Sequence, residues 1–379
     1  GRKGVGVNPL RGQNNVQGAA DMGCQPHQGA GYFPVAEQKI QDFYTQKYGV
    51  IHPTKAGLKI PEMFDAAINN ELKGLWIIGE DIVQTDPNSN HVIQAMKALD
   101  LLVVQEIFMS ETAKYADVVL PGTTFLEKDG TFTNTERRVQ RVNRAAEPLP
   151  GTKPDGVIVT EMMQKLGFDQ KIYDADEVLA EIADIVPFFK GITRERLGKF
   201  GLQWPVKEDG TDTKILHEKE FKLGKGRLKY FDWKESTEIE KNKDEYPLIL
   251  TTSRVLQHYN AATMTRRTNN IDMVDEDILL VHPKDAKYRE LNTGDIARLY
   301  SGRGEVALKV EVNDKVKEGV VFTTFHFPEH MVNMVTGHGK DEETQCAEYK
   351  VSSVEVQKIS NQFKTNHYPE ENTVEIKST

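Results

Sequence analysis

Three short, unbroken apolar runs constrain this chain most: Leu75–Ile78, Leu101–Val104 and Val118–Leu120. The first stops at Gly79 and the third at Pro121-Gly122. Between them lie helix-patterned stretches. Asp86-Pro87 predicts a helix start ahead of Val92, Ile93, Ala95, Met96 and Leu99, and Ser110 predicts another short helix. Strands buried on both faces read as continuous apolar runs rather than as alternation. The order strand, helix, strand, helix, strand therefore predicts buried parallel strands in an α/β sheet. Ligands of such sheets sit outside the carboxyl ends of the strands. Here those ends carry Gly79-Glu80-Asp81, Gln105-Glu106 and Pro121-Gly122-Thr123. Asp81 and Thr85 can accept from and donate to a ribose or a base, and an Asp carboxylate matches the paired N–H edge of guanine. Helix starts near Asp86 and Ser110 can receive phosphate oxygens. Asp81, Glu106 and Thr123 also read as plain caps and turn residues. No G-x-G-x-x-G follows the first run, which argues against an ordinary nicotinamide site.

Upstream, residues 1–35 are rich in Gly, Asn and Gln and predict a loop with a turn or short helix laid against something else. Arg11, beside Gly12 and Gln13, reads either as a surface charge or as a guanidinium fork for a small carboxylate. AEQKIQDFYTQKYG is helical in pattern, and Pro61 with Met63, Phe64, Ala67 and Ile68 predicts a proline-started amphipathic helix. Residues 125–155 form a polar, arginine-rich crossing segment, and 156–200 look helical. From Lys207 to Glu245, 21 of 39 residues are charged. Such a stretch buries little surface, so the domain boundary is expected there. From Pro247 the period changes. LILTTS, DIARLY, GEVALKVEV and GVVFTTFHF are strand-like and predict a compact β-barrel with one helix between His282 and Leu291. The expected organisation is an α/β region over 1–206, a charged linker over 207–245 and a barrel over 246–379.

The charge balance, 48 − 57 = −9, argues against a nucleic-acid binder, which needs a basic face. Two cysteines, Cys24 and Cys346, exclude a disulfide scaffold and an all-cysteine metal cage within this chain. Cys24 is expected to be buried or inert. No apolar run approaches a membrane span, and no direct membrane insertion is expected. No signal peptide is visible, so the expected location is cytoplasmic. The opening at Gly1 reads as a fragment or processed chain. Arg254 and His258 lie at i, i+4 just after a strand, followed by Tyr259-Asn260. His326, His330 and His338 also cluster, but Pro328 disfavours a helical two-histidine zinc face. No metal ligand is expected from this chain.

Several segments together resemble one family. VNPLRGQNNVQGAADMG, WIIGEDIVQTDPN, VVQEIFMSETAKYADVVLPGTTFLEKDGTFTNTERRVQ, TSRVLQHYN, VNMVTG and EYK are similar to the molybdopterin oxidoreductases, and within them to the catalytic subunits of formate dehydrogenases. The resemblance covers nearly the whole chain and implies a C-terminal half. The fold it implies is α/β: a Rossmann-like parallel-sheet domain, then a C-terminal six-stranded β-barrel of the double-psi type. It also implies two pyranopterin guanine dinucleotides around molybdenum or tungsten. The 4Fe–4S cluster and the metal-ligating cysteine or selenocysteine would lie in the missing N-terminal half. By resemblance, Arg11 holds formate and orients its C–H bond, and Gln13 touches the pterin. Asp81, Thr85, Gln105, Glu106, Gly122 and Asp155 would line one dinucleotide. Arg254, His258, Asn260, Asn333, Tyr349 and Lys350 would line the cofactors from the barrel side. The implied reaction is formate to carbon dioxide, with electrons leaving to a partner subunit or carrier. The fragment alone is expected to be inactive. Departures from the family pattern fall at Gly122, Gly156 and Val255. The rival expectations are a nitrate reductase-like sister enzyme, a non-catalytic cofactor-binding subunit, and a nucleotide-binding α/β domain unrelated to molybdenum.

Overall fold

The computed structural model of the protein describes residues 5–221 and 224–359. In chain order its main elements begin with helices α1 (Val16–Asp21), α2 (Gln38–Tyr48) and α3 (Ile60–Ile68). Then come β1 (Gly74–Ile78), α4 (Ile82–Thr85), α5 (Ser89–Ala98), β2 (Leu101–Glu106) and β3 (Val118–Pro121). A hairpin of β4 (Gly130–Thr133) and β5 (Arg138–Val142) precedes α6 (Asp155–Lys165), α7 (Ala175–Ile185) and β6 (Leu202–Gln203). The later strands are β7 (Leu248–Ser253), β8 (Ile278–Val281), β9 (Ile296–Ser301), β10 (Gly304–Val312), β11 (Val320–Thr324) and β12 (Ser352–Lys358), with helix α8 (Pro283–Tyr288) after β8.

The chain forms two compact units. One runs to Glu80 and includes Ala98–Met109 and Ala113–Phe231; the other holds Asp81–Lys97, Ser110–Thr112 and the chain from Asp232.

In the first unit the three apolar runs form the parallel sheet expected of them, in the order β1-β2-β3. Ile78 pairs with Gln105, and Glu106 with Pro121, so the strand ends are in register. Leu102 and Val104, on one face of β2, are buried, and Gln105 is buried on the other. Helix α3 starts with Pro61 in its first turn, where a missing N–H costs nothing, and buries Phe64, Ala66 and Ala67. The arginine-rich segment is not merely a polar crossing. It folds into the β4–β5 hairpin, extended by β6, in which Val139 is fully buried. Val139 packs with Leu179, Ile185, Val186, Phe189, Ile192, Leu197 and Val206.

Two expectations need correction. The helix expected from Asp86-Pro87 starts at Ser89. The Asp86 amide instead closes α4 on Ile82 O at 3.0 Å, and Asn88 takes a left-handed φ of 55°. Cys24 is exposed, which removes the buried alternative of the two expected for it. Gly23, at φ 78°, turns the chain out of α1, and the Cys24 amide is held on Ala19 O at 3.0 Å.

In the second unit the barrel closes with six strands in the order β8-β10-β9-β12-β7-β11. Strands β8 and β10, and β7 and β11, pair parallel; the other pairs are antiparallel. Alternate residues point inward with the two-residue period of a strand. Leu250, Leu279, Val281, Ala297, Leu299, Leu308, Val321 and Val354 fill one core. Among the described residues, no helix is long and apolar enough to cross a membrane.

Candidate cofactor-binding site

The residues expected to form the site fall into three clusters. In the first unit, Arg11 and Gln13 are exposed on the segment that leads into α1. Among the described residues the Arg11 guanidinium makes no hydrogen bond or ion pair, yet its loop is anchored. Thr135 Oγ1 donates to Arg11 O at 3.3 Å, and the Thr133 amide donates to Asn15 Oδ1 at 2.9 Å. Gly18 leaves room for that Asn15 side chain; a Cβ there would stand 2.1 Å from Asn15 Oδ1. Below the loop lies a buried polar cluster that sequence reasoning missed. The Asp21 carboxylate, 0% exposed, accepts from Gln17 Nε2 (2.8 Å), Tyr32 OH (2.7 Å) and Trp204 Nε1 (2.8 Å). Burial raises the Asp21 pKa; the three donors and the nearby Arg11 charge oppose that rise.

The second cluster sits at the carboxyl ends of β2 and β3, in the same unit. Gln105 Nε2 donates to Asp155 Oδ1 at 2.7 Å, and Lys128 Nζ pairs with Asp155 Oδ2. Gly122, buried, is packed against that carboxylate; a Cβ would approach Asp155 Oδ1 to 3.1 Å. Glu106 folds its Oε1 back onto the Ile107 amide at 2.7 Å. Thus Gln105, Gly122 and Asp155 come together, joined by Lys128, which the sequence did not single out. Two buried atoms here, Gln105 Oε1 and Thr123 Oγ1, have no hydrogen-bond partner among the described residues. Buried polar atoms are normally paired, so these two are suited to a bound polar group.

The third cluster belongs to the second unit. The Asp81 carboxylate is engaged at both oxygens. Oδ1 accepts from the Thr112 amide (2.8 Å) and Oγ1 (2.7 Å), and Oδ2 from the Glu111 amide (3.2 Å). Thr85 Oγ1 donates to Asp81 O at 3.0 Å. Between them Gln84, also missed, donates to Ala261 O and His326 O, both at 3.2 Å. Gln84 O accepts from Asn333 Nδ2 at 2.8 Å. These bonds tie Asp81 and Thr85 to the barrel residues. After β7, the Arg254 guanidinium is exposed, donates to Asn260 Oδ1 at 2.6 Å and lies 5.1 Å over the Phe325 ring. Lys350 Nζ donates to Thr252 O at the same strand end, and Thr252 Oγ1 donates to Tyr349 O at 3.0 Å. Burial, then the Arg254 charge, lowers the Lys350 pKa. An anion arriving there relieves both cations. His258 is turned inward, with Nδ1 3.0 Å from Thr265 Oγ1 and Nε2 2.7 Å from Val274 O. It supports the loop without presenting a free nitrogen. Among the described residues, no group of three or more His, Cys, Asp or Glu is placed to hold a metal ion.

Residues 1–165 match the family described as molybdopterin oxidoreductase, and residues 248–353 match the Molydopterin dinucleotide binding domain. The chain is 43% identical over 369 residues to the F420-dependent formate dehydrogenase subunit alpha of Methanocaldococcus jannaschii, covering 95% of this chain and 54% of that protein. It is 42% identical over 367 residues to the F420-dependent formate dehydrogenase 2 subunit alpha of Methanococcus maripaludis, covering 95% of this chain and 53% of that protein. The chain thus spans about half the length of the curated relatives it matches. Among solved structures, acetylene hydratase from Pelobacter acetylenicus is similar over 86% of this chain and 50% of its own. The TM-score is 0.61 at 20% identity, a likeness of fold. The two domain matches and these relatives agree: the chain belongs to the molybdopterin oxidoreductase family.

Proposed function

We propose that this chain is the cofactor-cradling half of a molybdopterin-dependent formate dehydrogenase, with Arg11 as its substrate-holding residue. One observation carries the reading: from an anchored loop Arg11 offers a guanidinium that makes no hydrogen bond or ion pair among the described residues. A planar fork of fixed positive charge suits a small carboxylate, which it can bind with two parallel hydrogen bonds.

The residues present fit a pyranopterin guanine dinucleotide. Gln105 Oε1 and Thr123 Oγ1 are buried acceptors in want of donors, and guanine carries an amine and a ring N–H. Gly122, lacking a Cβ, avoids crowding the Asp155 carboxylate. Arg254 and Lys350 place two cations at the end of β7, suited to a pyrophosphate. We assign Gln105, Glu106, Gly122 and Asp155 to dinucleotide binding in the first unit, and Asp81 and Thr85 to dinucleotide binding in the second. We assign Arg254, Asn260, Asn333, Tyr349 and Lys350 to the barrel's share of the cofactors, with His258 supporting their loop from inside, and Gln13 to the pterin.

When bound, the pterin-held molybdenum or tungsten supplies the two-electron acceptor for formate oxidation. The chain's own task is electrostatic. Arg11 binds the formate carboxylate, fixes the direction of its C–H bond and stabilises the anion while charge leaves it. Asp21, oriented by its three donors, lies close enough to interact electrostatically with that arginine. The 4Fe–4S cluster, the metal thiolate and an electron-accepting partner belong, in this reading, to parts of the enzyme outside this chain. The acceptor named in the two archaeal relatives is the first to test.

The test is a substrate panel on the complete enzyme, with guanine nucleotide released by denaturation measured alongside. Formate oxidation without nitrate reduction, with bound guanine nucleotide, is expected. Nitrate reduction without formate oxidation overturns the substrate, and absence of guanine nucleotide overturns the cofactor.

A further inference from the structure

We propose that His326 is a positioning residue for the dinucleotide site, its ring bracing the 254–260 loop that carries Arg254, His258 and Asn260; the proposal rests on the cofactor reading above. His326 follows β11 and is fully buried. Its Nδ1 lies 2.6 Å from Asn260 O, and a carbonyl can only accept, so Nδ1 carries the proton. Its Nε2 lies 3.1 Å from the Val255 amide, which can only donate, so Nε2 is the acceptor. One form of the ring satisfies both ends: the neutral imidazole protonated at Nδ1. The two anchor points are at opposite ends of one loop, so the ring closes that loop as a tie.

What the tie holds is the part of the loop assigned to the cofactor. Asn260 sits at a left-handed φ of 52°, a conformation unfavourable for most residues with a side chain. The bond to its carbonyl helps keep it there, and its Oδ1 then meets Arg254 Nη2 at 2.6 Å. Phe325, the neighbour of His326, lies under the Arg254 guanidinium. Residues 325 and 326 therefore fix the side chain and the backbone of the same loop. Gln84 and Arg266 hold the far side, on Ala261 O and His326 O.

The tie is sensitive to acid. Burial lowers the His326 pKa below its ordinary value of 6.5. The bond to Asn260 O and the buried Asp277 carboxylate oppose that shift; His258, 5.4 Å away ring to ring, and Arg254 add to it. Asp277 is held by the amides of His326 (3.0 Å) and Phe327 (3.1 Å). Arg266 donates to the His326 carbonyl at 3.4 Å. A proton on Nε2 would face the Val255 N–H, two donors with nothing between them. With the braced pKa lowered, the brace is complete above pH 6.5. It weakens as pH falls toward the lowered value, because the released histidine takes up the proton first.

The test uses the complete enzyme with His326→Leu and His326→Gln. Gln can accept at one atom and donate at the other but does not titrate. Two quantities are read: amide exchange of segment 255–260, corrected for intrinsic rates, and guanine nucleotide retained after incubation across pH. The Leu variant is expected to lose protection by about tenfold or more, the scale of a lost buried hydrogen bond, and to retain less nucleotide. The Gln variant is expected to restore both at neutral pH and to lack the acid-dependent loss of the wild type. A Leu variant with wild-type protection and retention overturns the proposal. So does a Gln variant that keeps the wild-type acid loss, a result that decides the matter even if the Leu variant fails to fold. A wild-type enzyme without bound guanine nucleotide overturns the cofactor reading instead, and the exchange at 255–260 then decides the brace alone.

Discussion

Asp21 and Trp204 lie 183 positions apart, yet the indole N–H donates to that buried carboxylate at 2.8 Å. Exchanging the charge for an amide leaves at least one donor facing another. Asp21→Asn is therefore expected to destabilise the protein by about 1–3 kcal/mol, read by denaturant unfolding. The pH dependence has a definite sign. The folded carboxyl has a pKa raised from 3.8, chiefly by burial, so the folded state holds its proton after the unfolded state has lost it. Stability contributed by this group is present at low pH and falls as pH rises through the raised value. The difference between wild type and Asp21→Asn should carry that slope; a difference flat in pH contradicts it. Single residues were legible where a motif or a strand end marked them, as with Arg11, Gln105 and Asp155. Gln84 and His326 were not. Their partners are backbone carbonyls and amides, and no residue type announces which carbonyl a distant loop will present.

Secondary elements were legible where their sequence carried a plain apolar pattern. The strands β1, β2 and β3 appear as unbroken apolar runs, although Ile78, Leu101 and Val118 in them are exposed. Four of the barrel strands announce themselves by alternation. β8 has only four residues, and β12 opens on two buried serines, Ser352 and Ser353, so neither stood out. The β4–β5 hairpin was hidden because it buries so few of its residues. Two predictions belong to this scale. Leu250 is fully buried in the closed barrel, so Leu250→Ala should cost about 2–5 kcal/mol in unfolding free energy; a loss well below that range would mean the barrel core can collapse around the cavity. At Gly122 a small Cβ already crowds Asp155 Oδ1, and Gly122→Val should weaken guanine nucleotide retention by about 1–3 kcal/mol, more than Gly122→Ala. Equal retention in both variants contradicts a cradle at that point.

At the scale of the molecule, a chain of 379 residues supplies two units, and the residues proposed to bind cofactor or substrate divide between them. Arg11, Gln13, Gln105, Glu106, Gly122 and Asp155 belong to the first; Asp81, Thr85 and the barrel residues belong to the second. That Asp81–Lys97 sides with the barrel was not legible, because it depends on Gln84 and on the Asn88 amide, which donates to Thr336 Oγ1 at 3.3 Å. The matched relatives are about twice as long, and the proposed chemistry needs groups this chain does not carry. The chain alone should therefore show no formate oxidation, whereas the complete enzyme should; turnover by the isolated chain would contradict the division of labour. The most direct test of the central claim is formate kcat/KM in the complete enzyme carrying Arg11→Ala, with metal and guanine nucleotide content measured on the same sample. A loss of about a hundredfold or more with both contents unchanged is predicted; wild-type-like turnover would contradict the role given to Arg11.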